Sequence, residues 1–244
     1  MLGRLANRLK EAGAELTARR AASRAWRHAR LLPRDAGADG VVDFSPEASG
    51  IQPWQYPDDF CSLARVVEAR RPRTVLEIGT ADGGTLFAHA RLADENALIV
   101  SIDLPRGLFG DGYPEWRIRL YESFAGPGQR LELLQVDSHA ASTAVRLEQI
   151  LDGRRIDYAF IDGDHTYGGV LQDFELCRRF AADDAVIAFH DVVRHPPESG
   201  CAVHDLWIKL RQEHPHEEFV KDWNQGCNGI GVLMLDSAAG PDPS

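Results

Sequence analysis

Cysteine is scarce in this chain. Its 244 residues contain four cysteines, and no two of them have the C-x-x-C spacing of redox motifs and zinc modules. Cysteine-pair motifs of both kinds are therefore excluded. The four thiols, at Cys61, Cys177, Cys201 and Cys227, are typical of a cytoplasmic protein whose cysteines stay reduced.

Long apolar runs are missing as well. No stretch approaches the ~20 residues that a membrane-spanning helix needs, and the N-terminus lacks the apolar core of a signal peptide. That N-terminus is arginine-rich and amphipathic, as in a transit peptide, but Glu11 and Glu15 weigh against export. We expect no transmembrane segment and a cytoplasmic location.

Positive charge is in deficit overall but not everywhere. The formal net charge of −10 argues against nucleic acid as a partner, because phosphate binding needs a basic face. Residues 1–34 hold nine basic residues against two acidic ones, a net charge of +7. The remainder therefore carries −17, so an acidic body bears a basic N-terminal arm.

The length suits one well-buried α/β domain with an appendage. Residues 2–31 are rich in alanine, leucine and arginine and predict one or two helices with a weakly apolar face. The Gly, Asp, Ser and Pro content of Pro33–Gly50 predicts a linker. We assign 1–50 to a basic helical arm and linker, 51–238 to the main domain and 239–244 to a disordered tail. The arm is expected to pack on the body or on a neighbouring subunit of a homo-oligomer, with a membrane-surface or partner-binding helix as the alternative.

Short apolar strands alternate with helical segments from Tyr56 onward. This pattern predicts a Rossmann-like, doubly wound α/β fold with a mostly parallel, seven-stranded sheet covered on both faces. The predicted strands are Thr74–Ile78, Leu98–Ile102, Leu131–Val136, Ile156–Ile161, Ala185–Phe189, Glu218–Lys221 and Ile230–Leu235. The predicted helices are Asp58–Arg70, Thr85–Leu92 and segments near 140–151, 168–180 and 202–213.

Each strand between residues 74 and 191 ends on a glycine, a carboxylate or a histidine. Ligands of such sheets bind beyond the carboxyl ends of the strands. The first of these ends, VLEIGTADGGT, is a glycine loop without the G-x-G-x-x-G pattern of dinucleotide sites and without a Walker lysine. Asp103 ends the next strand, 24 residues beyond Gly79, where a carboxylate can accept hydrogen bonds from both hydroxyls of a ribose. Asp137 and Ser138, at the third strand end, suit the edge of an adenine.

These motifs, followed by I-D-G-D-H at 161–165 and I-A-F-H-D at 187–191, resemble class I S-adenosylmethionine-dependent methyltransferases. More narrowly they resemble the metal-assisted O-methyltransferases of catechol, caffeoyl-CoA and macrolide sugars and the cephalosporin-hydroxylase-like group. The resemblance covers about residues 52–235 and makes 51–238 a methyltransferase domain. It implies that the cofactor is bound by Glu77, Gly79, Thr80, Gly83, Thr85, Asp103, Asp137, Ser138 and Asp162.

The resemblance also implies a second part of the site, which activates the acceptor hydroxyl. Asp162, His190 and Asp191 would hold a divalent metal, and His165 would be the base that takes a proton from the acceptor hydroxyl. His190 departs from the all-oxygen set that magnesium prefers. Its nitrogen favours manganese, iron, cobalt or zinc, unless Asp164 or water takes its place. Asp164 otherwise caps the helix that begins near Thr166.

Several further residues are candidates for the walls of the site. Leu104–Arg117, with Phe109, Tyr113 and Trp116, has the glycines and aromatics of a mobile lid over the acceptor. Gln52 and Trp54 are candidates to close the cofactor side. His195 and His204 are secondary candidates, and for His195 a surface position is the simpler interpretation.

The sequence thus favours an O-methyltransferase that acts on a hydroxyl of a sugar or secondary metabolite. A nicotinamide oxidoreductase on a similar sheet is one alternative, but the chain lacks both the G-x-G-x-x-G loop and a Tyr-x-x-x-Lys dyad. A non-catalytic methyltransferase-like binding protein is the other, and the presence of Asp162, His165 and Asp191 argues against it.

Overall fold

The computed structural model describes residues 32–44, 51–105 and 112–235, together with scattered positions between 13 and 27. Those scattered positions are helical, as expected for the arm. Most of the predicted apolar face of the arm, residues 106–111 of the predicted lid and the predicted tail at 239–244 lie outside the described residues.

A seven-stranded sheet forms the centre of the molecule, with the order β3-β2-β1-β4-β5-β7-β6. The first five strands are parallel to one another, and β7 runs antiparallel to both β5 and β6. The predicted mostly parallel, Rossmann-like sheet is confirmed. The strands are β1 (Thr74–Ile78), β2 (Leu98–Asp103), β3 (Arg130–Gln135), β4 (Ile156–Ile161), β5 (Ala181–His190), β6 (His216–Phe219) and β7 (Ile230–Met234).

Helices cover both faces of this sheet. One apolar layer contains α1 (Gly37–Phe44), α2 (Pro57–Arg70), α3 (Gly84–Leu92) and α4 (Glu115–Glu122). The opposite layer contains α5 (Ala141–Leu151), α6 (Tyr167–Phe180) and α7 (Val203–Glu213), and a short 3₁₀ turn at Pro197–Ser199 precedes α7. Within the described ranges, no helix has both the length and the apolar character needed to cross a bilayer.

Strand periodicity explains why both layers are apolar. Tyr158 and Phe160 of β4 point into the layer of α1 to α4, whereas Ala159 and Ile161 point into the layer of α5 to α7. Successive strand side chains alternate between faces, so a strand buried on both faces must be apolar along its whole length. This is why the central strands are short, continuous apolar runs.

The predicted linker is wrong over Gly37–Phe44, which forms helix α1. Ala38 and Val41 are buried on one side of this helix, and the Phe44 ring lies 5.1 Å from that of Phe87. Apolar residues three and four positions apart place one stripe against the core. This periodicity outweighs the glycine and aspartate content on which the linker prediction depended.

The strand boundaries differ from prediction most at the starts of the interior strand β5 and the edge strand β6. β6 begins at His216, two residues earlier than predicted, and β5 begins at Ala181, where it pairs with Ile156. β6 is an edge strand, so its position follows from pairing with β7 rather than from an apolar pattern. Its Glu218 accepts a hydrogen bond from Nε1 of the buried Trp207 at 2.7 Å.

Candidate active site

One cavity of about 890 Å³ opens at the carboxyl ends of the parallel strands. It brings together eight of the residues predicted for the site from separate parts of the chain. These are Gly79, Asp103, Asp137, Ser138, Asp162, His165, His190 and Asp191.

The loop after β1 passes very close to the end of β4. Gly79 has φ +94, and a Cβ at this position would collide with the carbonyl oxygen of Asp162. Gly84, at the start of α3, would likewise collide with the backbone of Gln52 and Pro53. Glycine is therefore required at both positions by close backbone approach. A ligand in the cavity can therefore come close to the main-chain atoms of the loop that contains Gly79.

Asp103 ties the end of β2 to this loop. Its Oδ2 accepts hydrogen bonds from the backbone N–H of Thr80 at 3.2 Å and of Ala81 at 3.0 Å. Burial raises the pKa of the Asp103 carboxyl, although these backbone hydrogen bonds act in the opposite direction. Asp103 lines the cavity, so it lies where the sequence predicts a ribose-binding carboxylate.

Glu77 lies behind the loop and does not line the large cavity. This fully buried carboxylate accepts hydrogen bonds from Thr85 Oγ1 at 2.7 Å and from Ser101 Oγ at 2.6 Å. Thr80 Oγ1 joins Ser101 at 2.6 Å, and Nδ1 of His89 lies 3.3 Å from Glu77. Glu77, Thr80 and Thr85 therefore support the loop from inside the protein. Gly83, the N-cap of α3, faces the Tyr121 ring.

The third strand end forms the far wall of the cavity. Asp137 is exposed, and its carboxylate accepts a hydrogen bond from the His139 N–H at 2.9 Å. Nε2 of His139 in turn lies 3.1 Å from Oδ1 of Asp173, a residue of α6 that is fully buried. Burial raises the pKa of Asp173, and this outweighs the lowering effects of Ser138 and His139. The His139–Asp173 pair was not anticipated from the sequence.

Asp162 is the centre of the opposite end of the cavity. Its Oδ1 lies 3.0 Å from Nδ1 of His190 and 3.4 Å from Nε2 of His165. Its Oδ2 accepts a hydrogen bond from Nε2 of Gln55 at 2.8 Å. Burial raises the pKa of Asp162, but the charge of His190 and the hydrogen bonds of both histidines outweigh burial and lower it.

Asp191 completes this end from an unusual backbone position. Its φ is +61, the left-handed region that a residue with a side chain occupies only when its surroundings hold it there. Oδ1 accepts the N–H of Asn228 at 3.0 Å, and Oδ2 lies 3.6 Å from Nε2 of His165. Burial acts to raise the pKa of Asp191, but the neighbouring histidines, His195 first, hold it far below the usual range.

The two histidines respond to these carboxylates. Burial lowers the pKa of His165, but the hydrogen bond and charge of Asp162, followed by Asp191, outweigh it and raise the pKa. The same balance raises the pKa of His190 to about 9. The other nitrogen of His190, Nε2, lies 3.0 Å from Oδ1 of Asn228. Both ring nitrogens of His190 are thus engaged, and ligation of a metal by His190 requires one of these contacts to break.

The mouth of the cavity is partly as predicted. Trp54 lines it, and its Nε1 donates to Asp82 at 3.2 Å. Gln52 borders a small adjoining pocket rather than the main cavity. Of the predicted lid, Leu104 and Gly112 line the cavity, whereas Tyr113 is buried edge-on against Tyr121 with ring centroids 4.9 Å apart.

Three polar residues differ from the simplest expectation. His195 is not a surface residue, because its side chain is 12% exposed and lies against Asp191. His204 instead contacts the carbonyl oxygen of Val192 through Nδ1 at 2.8 Å. The N-cap of α6 is Thr166, whose Oγ1 accepts the N–H of Gly169, rather than Asp164, whose carboxylate accepts the N–H of Thr166.

Besides the His139–Asp173 pair, sequence reasoning missed the contacts of Gln55 and Asn228. Asn228 follows from sheet topology, because antiparallel β7 pairs Ile230 with His190 and so starts beside the end of β5. The Asn-Gly step before β7 signals a turn, but not its neighbour. Gln55 carries no such signal, since it precedes α2 and approaches Asp162 only through packing.

A glycine loop and strand-end carboxylates around one cavity, on a sheet of this order, define a Rossmann-like α/β domain with a ligand site at the carboxyl ends of its strands. Residues 76–192 match a family model described as a methyltransferase domain. This part of the chain, which runs from within β1 through β5 to just beyond Asp191, is therefore similar to methyltransferase domains.

Several solved structures share this fold, and two of the three described here are named as O-methyltransferases. The O-methyltransferase from Bacillus cereus in complex with SAH has 18% identity and a TM-score of 0.53, over 84% of this chain and 93% of that one. TomG from Streptomyces achromogenes, an O-methyltransferase involved in tomaymycin synthesis solved in complex with SAM, has 18% identity and a TM-score of 0.50, over 72% and 78%. Cofactor-bound Rv0187 from MTB has 21% identity and a TM-score of 0.53, over 90% and 89%. No curated protein matches the sequence. The chain thus matches a methyltransferase domain over residues 76–192 and shares the fold of these proteins.

Proposed function

We propose that this protein transfers the methyl group of S-adenosylmethionine to a hydroxyl oxygen of a small molecule, with His165 as the base. One observation carries the proposal. Nε2 of His165 faces the cavity between two carboxylates, 3.4 Å from Asp162 and 3.6 Å from Asp191. A base in this position can hold a proton, because both carboxylates stabilise the imidazolium that forms.

The cofactor half of the proposal uses the opposite part of the cavity. Asp103 offers its carboxylate to the ribose hydroxyls. The same carboxylate accepts hydrogen bonds from the backbone N–H groups of Thr80 and Ala81, which hold the loop of Gly79 in place. Asp137 and Ser138 lie at the third strand end, where we place the adenine. SAM and SAH in the structures of similar fold support this choice of cofactor.

The donor set at the other end fits a divalent cation. Asp162, His165 and Asp191 each offer a ligand atom, and these atoms lie within 4.8 Å of one another. We propose that the two carboxylates hold the ion, with Mg²⁺, Mn²⁺, Fe²⁺ and Zn²⁺ as candidates. Such an ion would supply a positive charge that lowers the pKa of the acceptor hydroxyl and orients it. That charge would also offset the two carboxylates that raise the pKa of His165.

The transfer itself is an in-line displacement. A lone pair of the acceptor oxygen forms the new bond to the methyl carbon, and the carbon–sulfur bond breaks so that the sulfonium becomes a neutral thioether. The hydroxyl proton passes to Nε2 of His165. The protein contributes mainly by holding oxygen, methyl carbon and base in line within a partly enclosed cavity.

The acceptor is a small molecule rather than a polymer. The cavity of about 890 Å³ lies in the size range of small-molecule sites, and Trp54, Leu104 and His195 are among its lining residues. An aromatic ring beside polar groups suits a sugar or a hydroxylated secondary metabolite. We further propose a cytoplasmic enzyme, consistent with four free cysteines among the described residues, and an N-terminal arm that mediates self-association.

A release assay tests the proposal. The purified protein is incubated with S-adenosylmethionine and a panel of sugars, catechols and macrolides, and S-adenosylhomocysteine formation is measured. We expect turnover with at least one hydroxylated acceptor and loss of that turnover on chelation. Calorimetry with NAD⁺ serves as the comparison, because tight binding of NAD⁺ without binding of S-adenosylmethionine would overturn the assignment.

A further inference from the structure

A second group of metal-ligating side chains lies directly behind the first. Asp191, His195 and Cys201 each offer a donor atom, and these three atoms lie within 4.8 Å of one another. The residues come from the loop between β5 and α7, so they are close in sequence as well as in space. The O-methyltransferase chemistry proposed above uses only Asp191 of this group.

His195 lies close to Asp191 without a well-directed hydrogen bond between the two side chains. Its Nε2 lies 3.0 Å from Oδ1 of Asp191, yet this buried nitrogen makes no directed hydrogen bond with any group that the structure describes. Ligand atoms that share one zinc ion lie about 3–4 Å apart, given metal–ligand distances of ~2.0–2.3 Å. The contact therefore suits two ligands of one ion better than a hydrogen bond.

The two oxygens of the Asp191 carboxylate face different histidines, and Oδ1 also lies 3.5 Å from Nδ1 of His190. Oδ1 faces His195, whereas Oδ2 faces His165 at 3.6 Å. Asp191 is held in this orientation by its left-handed backbone and by the N–H of Asn228. One carboxylate can thus serve two adjacent cation sites.

The chain also fixes the position of Cys201. The next residue, Ala202, donates its N–H to the carbonyl oxygen of His165 at 2.8 Å, which ties this loop to the end of β4. The N–H of Cys201 itself is bound by Ser199 Oγ at 3.1 Å. Two anchors on consecutive residues hold the Cys201 backbone beside the other two donors.

We propose that Asp191, His195 and Cys201 form a second metal site, selective for Zn²⁺ or a similar thiophilic ion. A carboxylate, an imidazole and a thiolate form a mixed set that magnesium avoids and zinc accepts. An ion there crosslinks the end of β5 to the start of α7 and so braces the acceptor wall that His195 lines. The site is defined by its donors, and it holds whether or not methyl transfer depends on a metal.

Cobalt spectroscopy tests this site without reference to activity. The full-length protein is stripped of metal and titrated with Co²⁺, and the near-ultraviolet thiolate-to-cobalt charge-transfer band is recorded together with bound metal per chain. We expect the band in the wild type, its loss in Cys201→Ser, and binding of one ion fewer per chain in that variant. Zn²⁺ should abolish the band, and excess Mg²⁺ should not.

The matched control is Cys227→Ser, which removes a thiol that lines the same cavity but lies outside the group. It should keep the band, whereas His195→Ala should weaken Co²⁺ binding at this site at least tenfold, because loss of even an outer-shell partner of a metal ligand costs about 10–100-fold. Circular dichroism verifies that each variant is folded. If wild-type protein with bound Co²⁺ shows no charge-transfer band, or if the band survives in Cys201→Ser, the second site does not exist. If the band depends on Cys227, the ion lies elsewhere in the cavity and the proposal also fails.

Discussion

Nδ1 of His190 lies 3.0 Å from Oδ1 of Asp162, and this contact joins the ends of two neighbouring parallel strands. The pairing between β4 and β5 ends with Ile161 opposite Phe189, so the next residue of each chain segment lies at the same edge of the sheet. Two residues 28 positions apart in the chain thus become one polar unit. In the proposed mechanism, the chemistry of this unit depends on which group holds a proton and which holds a cation.

The first prediction separates these roles. Asp162→Ala and Asp191→Ala should weaken metal binding and lower turnover, and excess metal should partly restore turnover, because affinity is what is lost. His165→Ala should keep most of its metal and cofactor affinity but lose about 10²–10⁴ in rate, the usual size of general-base catalysis. Its residual rate should rise with pH as the hydroxyl ionises unaided. Metal affinity is measured by calorimetry and turnover by S-adenosylhomocysteine release.

His204→Ala is the control histidine, since it contacts the carbonyl of Val192 instead of the two carboxylates. Full activity of chelated wild-type protein would contradict the metal part of the account and leave His165 as base alone. A His165→Ala variant that loses metal in parallel with turnover would make this residue a ligand rather than the base.

The second prediction concerns Asp103. Asp103→Ala should weaken S-adenosylmethionine binding by roughly 1.5–3 kcal/mol, the range for hydrogen bonds to a charged group, or about 10- to 150-fold in Kd. Asp103→Asn keeps an acceptor for the N–H groups of Thr80 and Ala81, so it should leave the loop in place and lose mainly the ribose contact. Isothermal calorimetry measures both.

Asp183→Ala is the matched control for Asp103, because it removes an exposed carboxylate near the opposite end of the sheet. Its cofactor affinity should equal that of the wild type. Equal affinities in Asp103→Ala and wild type would remove the ribose contact from the proposed site.

Much of the central sheet was predictable because the local pattern and the tertiary environment agree. Runs such as Ile156–Ile161 are apolar at nearly every position, and in a sheet covered on both faces they have one stable location. The strand-end residues Asp103, Asp162 and Asp191 were predictable for the same reason, since parallel strands bring their carboxyl ends to one edge.

The parts that were missed depend on contacts between distant segments. α1 is specified by two small apolar side chains, Ala38 and Val41, within a polar composition. Gln55 and Asn228 reach Asp162 and His190 through loops whose paths follow from packing. His195 has no local pattern that distinguishes a buried ligand-like position from an exposed one.

The third prediction tests whether α1 belongs to the domain core. Val41→Ala removes two methyl groups from a side chain that is 1% exposed. At ~0.8 kcal/mol for each buried carbon, the free energy of unfolding should fall by about 2 kcal/mol. Asp43→Ala, on the exposed side of the same helix, should change it by less than ~0.5 kcal/mol. Urea denaturation measures both variants.

Truncation extends this prediction to the arm. A chain that starts at Asp35 keeps α1 and should retain cofactor affinity, while its oligomeric state, followed by light scattering, is expected to change. Loss of S-adenosylmethionine binding in this folded truncation would show instead that the arm closes the site.

The third prediction is contradicted if Val41→Ala is as stable as Asp43→Ala, because α1 would then contribute nothing to the core.

The last prediction concerns Asp173, whose buried carboxyl has its pKa raised by burial. A carboxyl with a raised pKa binds a proton more tightly in the folded than in the unfolded protein. Its contribution to stability is therefore present below the ordinary value of 3.8 and is lost as pH rises through the raised folded pKa. At neutral pH the wild type retains a buried charge opposite His139, and Asp173→Asn removes that charge while keeping the shape of the side chain. Asp173→Asn should thus melt at a higher temperature than wild type at pH 7, and the difference should shrink as pH falls through this window.

Differential scanning calorimetry across pH measures the difference, with Asp183→Asn as the exposed control that should show no such trend. A less stable Asp173→Asn at pH 7 would mean that the His139–Asp173 ion pair more than offsets the cost of burying the carboxylate.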